Sequence, residues 1–194
     1  MAPITALASA LGIAWSSSVS LYATVAFTGV AGRLGWVILP EGLRALENPT
    51  VIGVAMVLTG VEIAASLVPG IATAWEALHL AIRPVAAVVL AVLATWGASP
   101  ALVAAAGLLG GTLGAATSAT KLKLRTAIDA SPEPLSNAVA TGAEVGTVAG
   151  MAWLVWNHPW IALALAIATL AALILVARAV WKALRQAATW VRGG

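Results

Sequence analysis

Cysteine is absent from all 194 residues, so the chain has no disulfide framework and no thiolate for metal or redox chemistry. Charge is nearly as scarce. Asp, Glu, Lys and Arg together make up 9% of the residues, against roughly 25% in an ordinary soluble domain, and a water-soluble fold could not cover the apolar surface that remains. The two histidines, His79 and His158, are held apart by the predicted topology, which leaves no metal site. No serine, histidine and acid fall within reach of one another, so no catalytic residue is assigned, no cofactor is expected, and the protein is read as not an enzyme. The N-terminus has no cationic leader region, and its apolar run continues past the small residues Ala8, Ser9 and Ala10. It is therefore read as an uncleaved first span. The glycines at 107–114 are followed by no lysine and preceded by no strand, which excludes a phosphate loop.

What the chain does have is apolar length. Hydrophobic residues make up 61% of it, and the mean hydropathy is +1.00. The reading is all-α: a single integral membrane domain over 1–194 with about six transmembrane helices. The first apolar segment, 4–31, is longer than the ~20 residues a bilayer requires, so tilt or a kink is expected. Its polar middle, Ser16, Ser17, Ser18 and Ser20, suits close helix packing, with a pore lining as the alternative. A second span follows over 50–67. Residues 71–82 are too short to span and are expected as an interfacial or re-entrant helix carrying Trp75, Glu76 and His79, leading into a third span over 84–96. A fourth covers 101–119, with Gly107, Gly110, Gly111 and Gly114 on one face for close approach of another helix. The fifth covers 134–156 and the sixth runs to about 180. It continues as a basic amphipathic tail over 181–194, with Trp181 and Trp190 among its cations.

Residues 120–144, TKLKLRTAIDASPEPLSNAVATGAE, are the one long break in this apolar chain. Lys121, Lys123 and Arg125 mark a cytoplasmic loop. Ser131-Pro132-Glu133-Pro134 marks a helix start, with a capping hydroxyl, a proline in the first turn and an acid near the positive end of the helix dipole. Six spans place both termini on one side, together with Arg83, Lys121, Lys123, Arg125, Arg178, Lys182, Arg185 and Arg192; only Arg33 and Arg44 lie opposite. That bias places both termini in the cytoplasm of a bacterial inner membrane. Because the cations sit at helix ends, the expected partner is the anionic lipid headgroup and not nucleic acid.

Two acids fall inside predicted spans, and their surroundings match: Thr59-Gly60-Val61-Glu62-Ile63 against Thr141-Gly142-Ala143-Glu144-Val145. Each lies in the middle helix of a three-helix half, which raises a 3+3 inverted repeat, an arrangement many transporters use to build a midplane site. A lone ionised carboxylate there costs on the order of 3 kcal/mol, so each must be protonated, paired or wet. Glu62, Glu144, Thr59, Thr141 and Asn137 are the candidates for a shared polar cavity. Arg83, Lys121, Arg125, Ser131 and Glu133 are the candidates for its cytoplasmic mouth or for anion and lipid contact. Two functions remain open: a small carrier or channel-like protein for a solute or ion, or a structural or accessory subunit of a membrane complex. A homo-oligomer or larger assembly is a partner in either.

The motifs SATKLKLR and DASPEPLSN resemble the bacterial domain-of-unknown-function family numbered four-one-two-six. So do the series Glu62, Pro69, Trp75-Glu76, His79 and Arg83-Pro84, and the short segments Ser20-Leu21-Tyr22 and Gly32-Arg33-Leu34-Gly35. The likeness covers about 11–165 and implies a multi-pass, alanine-rich protein without an assigned activity. The chain departs from that pattern at Ala65-Ser66-Leu67, Ala72, Val145 and Ser118, where the family usually carries charge or histidine. The resemblance therefore implies a divergent member.

Overall fold

A computed structural model describes residues 3–68, 70–129 and 134–193, and every regular element among them is a helix. The α-helices are Pro3–Val19 (α1), Leu21–Arg33 (α2), Pro49–Ser66 (α3), Ile71–Ala94 (α4), Pro100–Asp129 (α5), Pro134–Asn157 (α6) and Pro159–Gly193 (α7), with a 3-10 turn at Glu41–Glu47. Proline opens α1, α3, α5, α6 and α7, where its missing N–H is one the first turn leaves free anyway. Before α3, Asn48 adds a side-chain cap, accepting from Thr50 N at 2.8 Å. Helices α3, α4, α5 and the 139–157 portion of α6 are long and apolar enough to cross a membrane, whereas α1 and the first part of α7 are apolar but shorter.

Charged side chains are buried together with an apolar core, and apolar side chains cover much of the outside. Val54, Val57 and Val61 of α3 and Val85 and Val89 of α4 are exposed, while Glu62, Glu76, His79, Arg83, Lys121 and Arg125 are buried. That inversion is what a hydrocarbon solvent selects, and with the helix lengths it makes this a multi-pass membrane protein.

The long first segment breaks at Ser20, whose backbone is extended (φ −145, ψ 109) between α1 and α2. Ser17 and Ser18 return their hydroxyls to Ala14 O, and Ser16 meets Thr24, so these three serve helix packing. The glycines of α5 do as expected. A Cβ on Gly110 would lie 2.8 Å from Ala91 Cβ and 3.2 Å from Ala14 Cβ, and one on Gly114 would lie 2.7 Å from Ala87 Cβ.

Two expectations are corrected. There is no separate interfacial or re-entrant helix at 71–82, because α4 runs unbroken from Ile71 to Ala94 with Pro84 inside it. Proline removes one hydrogen bond there, a lapse a membrane helix tolerates where a neighbour packs closely, as α5 does with Gly114 against Pro84. The supposed loop after 120 is also helical as far as Asp129. Asp129 Oδ2 accepts from Gly70 N (3.1 Å), Thr73 N (3.1 Å) and Thr73 Oγ1 (2.6 Å), so the end of α5 caps the start of α4. The basic tail continues α7 and is no separate element, with Arg185 lying 5.3 Å from the Trp181 ring centroid. Ser131 and Glu133, and with them most of the predicted helix-start motif, lie outside the described residues.

Candidate functional site

Helix α4 supplies the centre of the site. Ala72, Glu76, His79, Arg83, Ala87, Leu90, Ala91 and Ala94 are its buried residues, one stripe at the spacing of an amphipathic helix. Glu76 and Arg83 are seven residues apart on that stripe, so they face the same neighbours. Arg83 Nη1 donates to Glu76 Oε2, and its Nη2 reaches Glu76 Oε1 at 3.2 Å and Glu62 Oε1 of α3 at 2.5 Å. The other oxygen of Glu62 accepts from Ser20 Oγ at 2.5 Å, at the break between α1 and α2. Lys121 of α5 stands 3.0 Å from Glu76 Oε1 and 3.0 Å from Glu144 Oε2 of α6. Its Nζ also donates to Val19 O at 2.6 Å, on the other side of the Ser20 break. Five side chains from four helices therefore form one chain of alternating charge: Glu62, Arg83, Glu76, Lys121, Glu144.

The chain lies inside the helices, not at their ends. At 1.5 Å per residue, Arg83 is about 18 Å along α4 from Ile71, and Lys121 about 12 Å along α5 from Asp129. Arg83, Lys121 and Arg125, expected at a surface mouth, are buried instead. The reason is that continuous α4 and extended α5 carry them into the bundle, where carboxylates offset the desolvation of Arg83 and Lys121.

Arg125 is held differently. One turn beyond Lys121 on α5, its Nη2 donates to Ser66 O at 2.8 Å, a carbonyl left free at the end of α3, and approaches Thr141 Oγ1 at 3.4 Å. Among the described residues no carboxylate pairs with it, and its Nε and Nη1 have no acceptor. Arg125 borders a cavity of about 260 Å³ with Trp15, Val19, Thr117, Lys121, Leu124, Ile128, Ala140, Ala143, Glu144 and Thr147. Glu144 is the member of the chain with the greatest access, its side chain 24% exposed.

The expected residues are thus partly brought together. Glu62 and Glu144 belong to one ion chain, but the cavity is lined by Glu144 and not by Glu62, so a cavity shared by both carboxylates is corrected to a shared chain of pairs. Thr141 reaches Arg125, whereas Thr59 bonds its own helix at Ala55 O (2.8 Å) and stands outside. The side chain of Asn137 is not among those described. Sequence reasoning missed the central role of Glu76, along with Ser20, Val19 O and Ser66. Glu76, His79 and Arg83 at i, i+3 and i+7 were the available signal, hidden by ending the helix at Pro84. Beside the chain, His79 Nδ1 donates to Trp75 O at 2.8 Å and Nε2 meets Tyr22 Oη at 3.0 Å, with the Trp75 and His79 rings stacked at 4.4 Å. No group of metal-ligating side chains occurs among the described residues.

No curated protein and no solved structure matches the chain. The family model described as Domain of unknown function (DUF4126) matches residues 7–179, a span that contains all of the ion chain and the whole cavity wall. The protein belongs to the DUF4126 family.

Proposed function

We propose that this protein is a small carrier of a bacterial inner membrane, not an enzyme, and that it crosses the bilayer six times with both termini in the cytoplasm. In this reading α1 with α2, α3 and α4 form one half and α5, α6 and α7 its inverted copy, with Glu62 and Glu144 in corresponding helices. The observation that carries the proposal is the asymmetry of the ion chain. Glu62, Arg83 and Glu76 are closed off in protein, while Lys121 and Glu144 border a cavity and pair there. A proton on Glu144 would release Lys121 from that pair without disturbing the Arg83 end, which is the charge step a proton-coupled carrier requires. Lys121 already sits where a helix break offers the Val19 carbonyl, a position that suits a cation which changes partners.

Purified protein in liposomes tests this. Wild type should move a small solute or ion in response to a pH gradient, and Glu144→Gln should uncouple that movement from protons. Absence of any proton, cation or small-anion flux, together with unchanged host growth in the Glu62→Gln/Glu144→Gln variant, would refute it.

A second reading is favoured by a separate observation. Gly142, Gly146 and Gly150 of α6 are exposed at four-residue spacing, and a Cβ on any of them would meet nothing within 4 Å among the described residues. Such a face suits close packing with another membrane helix, in a homo-oligomer or as an accessory subunit of a larger complex. Anionic lipid at Arg178, Lys182 and Arg185 would accompany either role. Recovery of a stoichiometric larger partner from native membranes in mild detergent would favour the accessory role, and recovery as a lone monomer would count against it.

A further inference from the structure

The break at Ser20 reverses the chain. Ser16 and Thr24, on either side of it, join their hydroxyls at 3.0 Å, whereas continuous helix of that length would set them about 12 Å apart. The neighbours of each arm agree. Ala14 lies beside Gly110 and Ser18 beside Gly114, so α1 runs parallel to α5, and at that register Pro3 stands level with Ser99 and Pro100. Ser20 bonds Glu62 and Gly29 lies beside Ile52, so α2 runs antiparallel to α3, and Arg33 stands level with Pro49. Those two levels belong to one face of the bundle. The 3-10 turn before Pro49 puts Gly42 against Leu93 O and Trp96 Cβ at the end of α4, and the turn at 95–99 joins that end to the start of α5. Asp129, which caps the start of α4, lies at the opposite face.

Neither arm is long enough to cross. α1 has 17 residues and α2 has 13, about 26 and 20 Å of helix against a hydrocarbon core of about 30 Å. The tip also stops well inside, because Gly114, beside Ser18, is about 22 Å short of Asp129 along α5. Non-helical backbone at that depth has to be satisfied by protein, and the ion chain supplies the partners. Lys121 Nζ donates to Val19 O at 2.6 Å and Ser20 Oγ donates to Glu62, while Ser20 O accepts from Thr24 N and Oγ1. The cavity of about 260 Å³ starts at Trp15 and Val19 of the hairpin and continues along α5 past Lys121 and Leu124 to Ile128, on the Asp129 side of the tip.

We propose that α1 and α2 form a re-entrant hairpin that enters and leaves at one face of the membrane, with Glu62 and Lys121 clamping its tip. The hairpin separates the cavity from the face that carries the 34–39 loop. Its part as a gate rests on the carrier reading, whose path across the membrane it alters. The chain makes one crossing fewer than six, and its N-terminus lies on the face opposite Lys123.

The chain has no cysteine, so introduced cysteines report on the full-length protein without background. With a membrane-impermeant maleimide on cells and on inverted vesicles, Ala2→Cys and Ile38→Cys should label from one face and Lys123→Cys from the other. Labelling of Ala2→Cys from the face of Lys123→Cys would overturn the hairpin. The pair Ser16→Cys/Thr24→Cys keeps the test decisive if a site does not react. Copper phenanthroline should close it to a disulfide in most molecules, while Ser9→Cys/Ser17→Cys, at the same spacing within α1, should stay reduced. A Ser16→Cys/Thr24→Cys pair that also stays reduced would overturn the hairpin, because α1 and α2 would then run on as one span. For the clamp, Lys121→Met should speed amide exchange at Ser20 and Thr24 at least tenfold, and Ser20→Ala, which removes only the bond to Glu62, should speed it at Thr24 several-fold. Unchanged exchange in both would overturn the clamp. None of these readouts involves transport, so the two claims can fail separately. A hairpin without liposome flux removes the carrier reading alone, and proton-coupled flux with Ala2→Cys on the face of Lys123→Cys removes the hairpin alone.

Discussion

Arg83 joins two carboxylates from different helices, and replacing it with Met should expose how much the ion chain contributes. At an effective dielectric of about 20, a unit pair roughly 3 Å apart attracts by about 5 kcal/mol, and Arg83 holds such contacts with both Glu62 and Glu76. Much of that attraction offsets the desolvation of three charges. What matters in the variant is that, among the described residues, Glu62 keeps only the Ser20 hydroxyl and Glu76 only Lys121. Breaking a buried pair by removing one partner typically costs about 3–5 kcal/mol. At about 2–4 °C per kcal/mol for a chain of this size, Arg83→Met should lower the unfolding temperature by roughly 6–20 °C. The triple variant Arg83→Met/Glu62→Gln/Glu76→Gln removes the stranded charges as well and should recover most of the loss. Unfolding followed by tryptophan fluorescence and size-exclusion chromatography in one detergent measures both. A single variant within about 2 °C of wild type, or a triple variant less stable than the single, would show that these pairs do not hold α3 to α4.

Three further outcomes follow from the packing. Asp129→Ala should lose the cap on α4 and about 1 kcal/mol of stability, read as faster amide exchange at Gly70 and Thr73 than elsewhere. Gly110→Leu should prevent α5 from closing on Ala91 and Ala14 and destabilise by about 3 kcal/mol or more, seen as loss of a monodisperse chromatographic peak, whereas the same change at the open Gly146 should leave the monomer fold intact. An amine-reactive, water-soluble reagent should modify exposed Lys123 and spare Lys121, which is 7% exposed; equal labelling would mean that Lys121 is not held in the chain.

Helix boundaries at Pro49, Pro100, Pro134 and Pro159 were legible because proline in a first turn, or a glycine turn such as Gly97 at φ +85, acts through local geometry alone. The glycine face of α5 was legible for the same reason: spacing on a helix fixes which residues share a side. Pro84 was misread, since local rules end a helix there and only the packing around it sustains the helix. That error moved Glu76 and Arg83 from the middle of a helix to the edge of the bilayer.

Composition and periodicity alone determined that the chain is helical and lies in a membrane, and that Glu62 and Glu144 need partners there. Those conclusions depend on the solvation of each residue by itself. Which cation meets which carboxylate was decided by the tertiary structure. Such pairings join residues as far apart in sequence as Val19 and Lys121, and an interaction that falls off over a few ångströms is set by how helices cross, which no stretch of sequence encodes by itself.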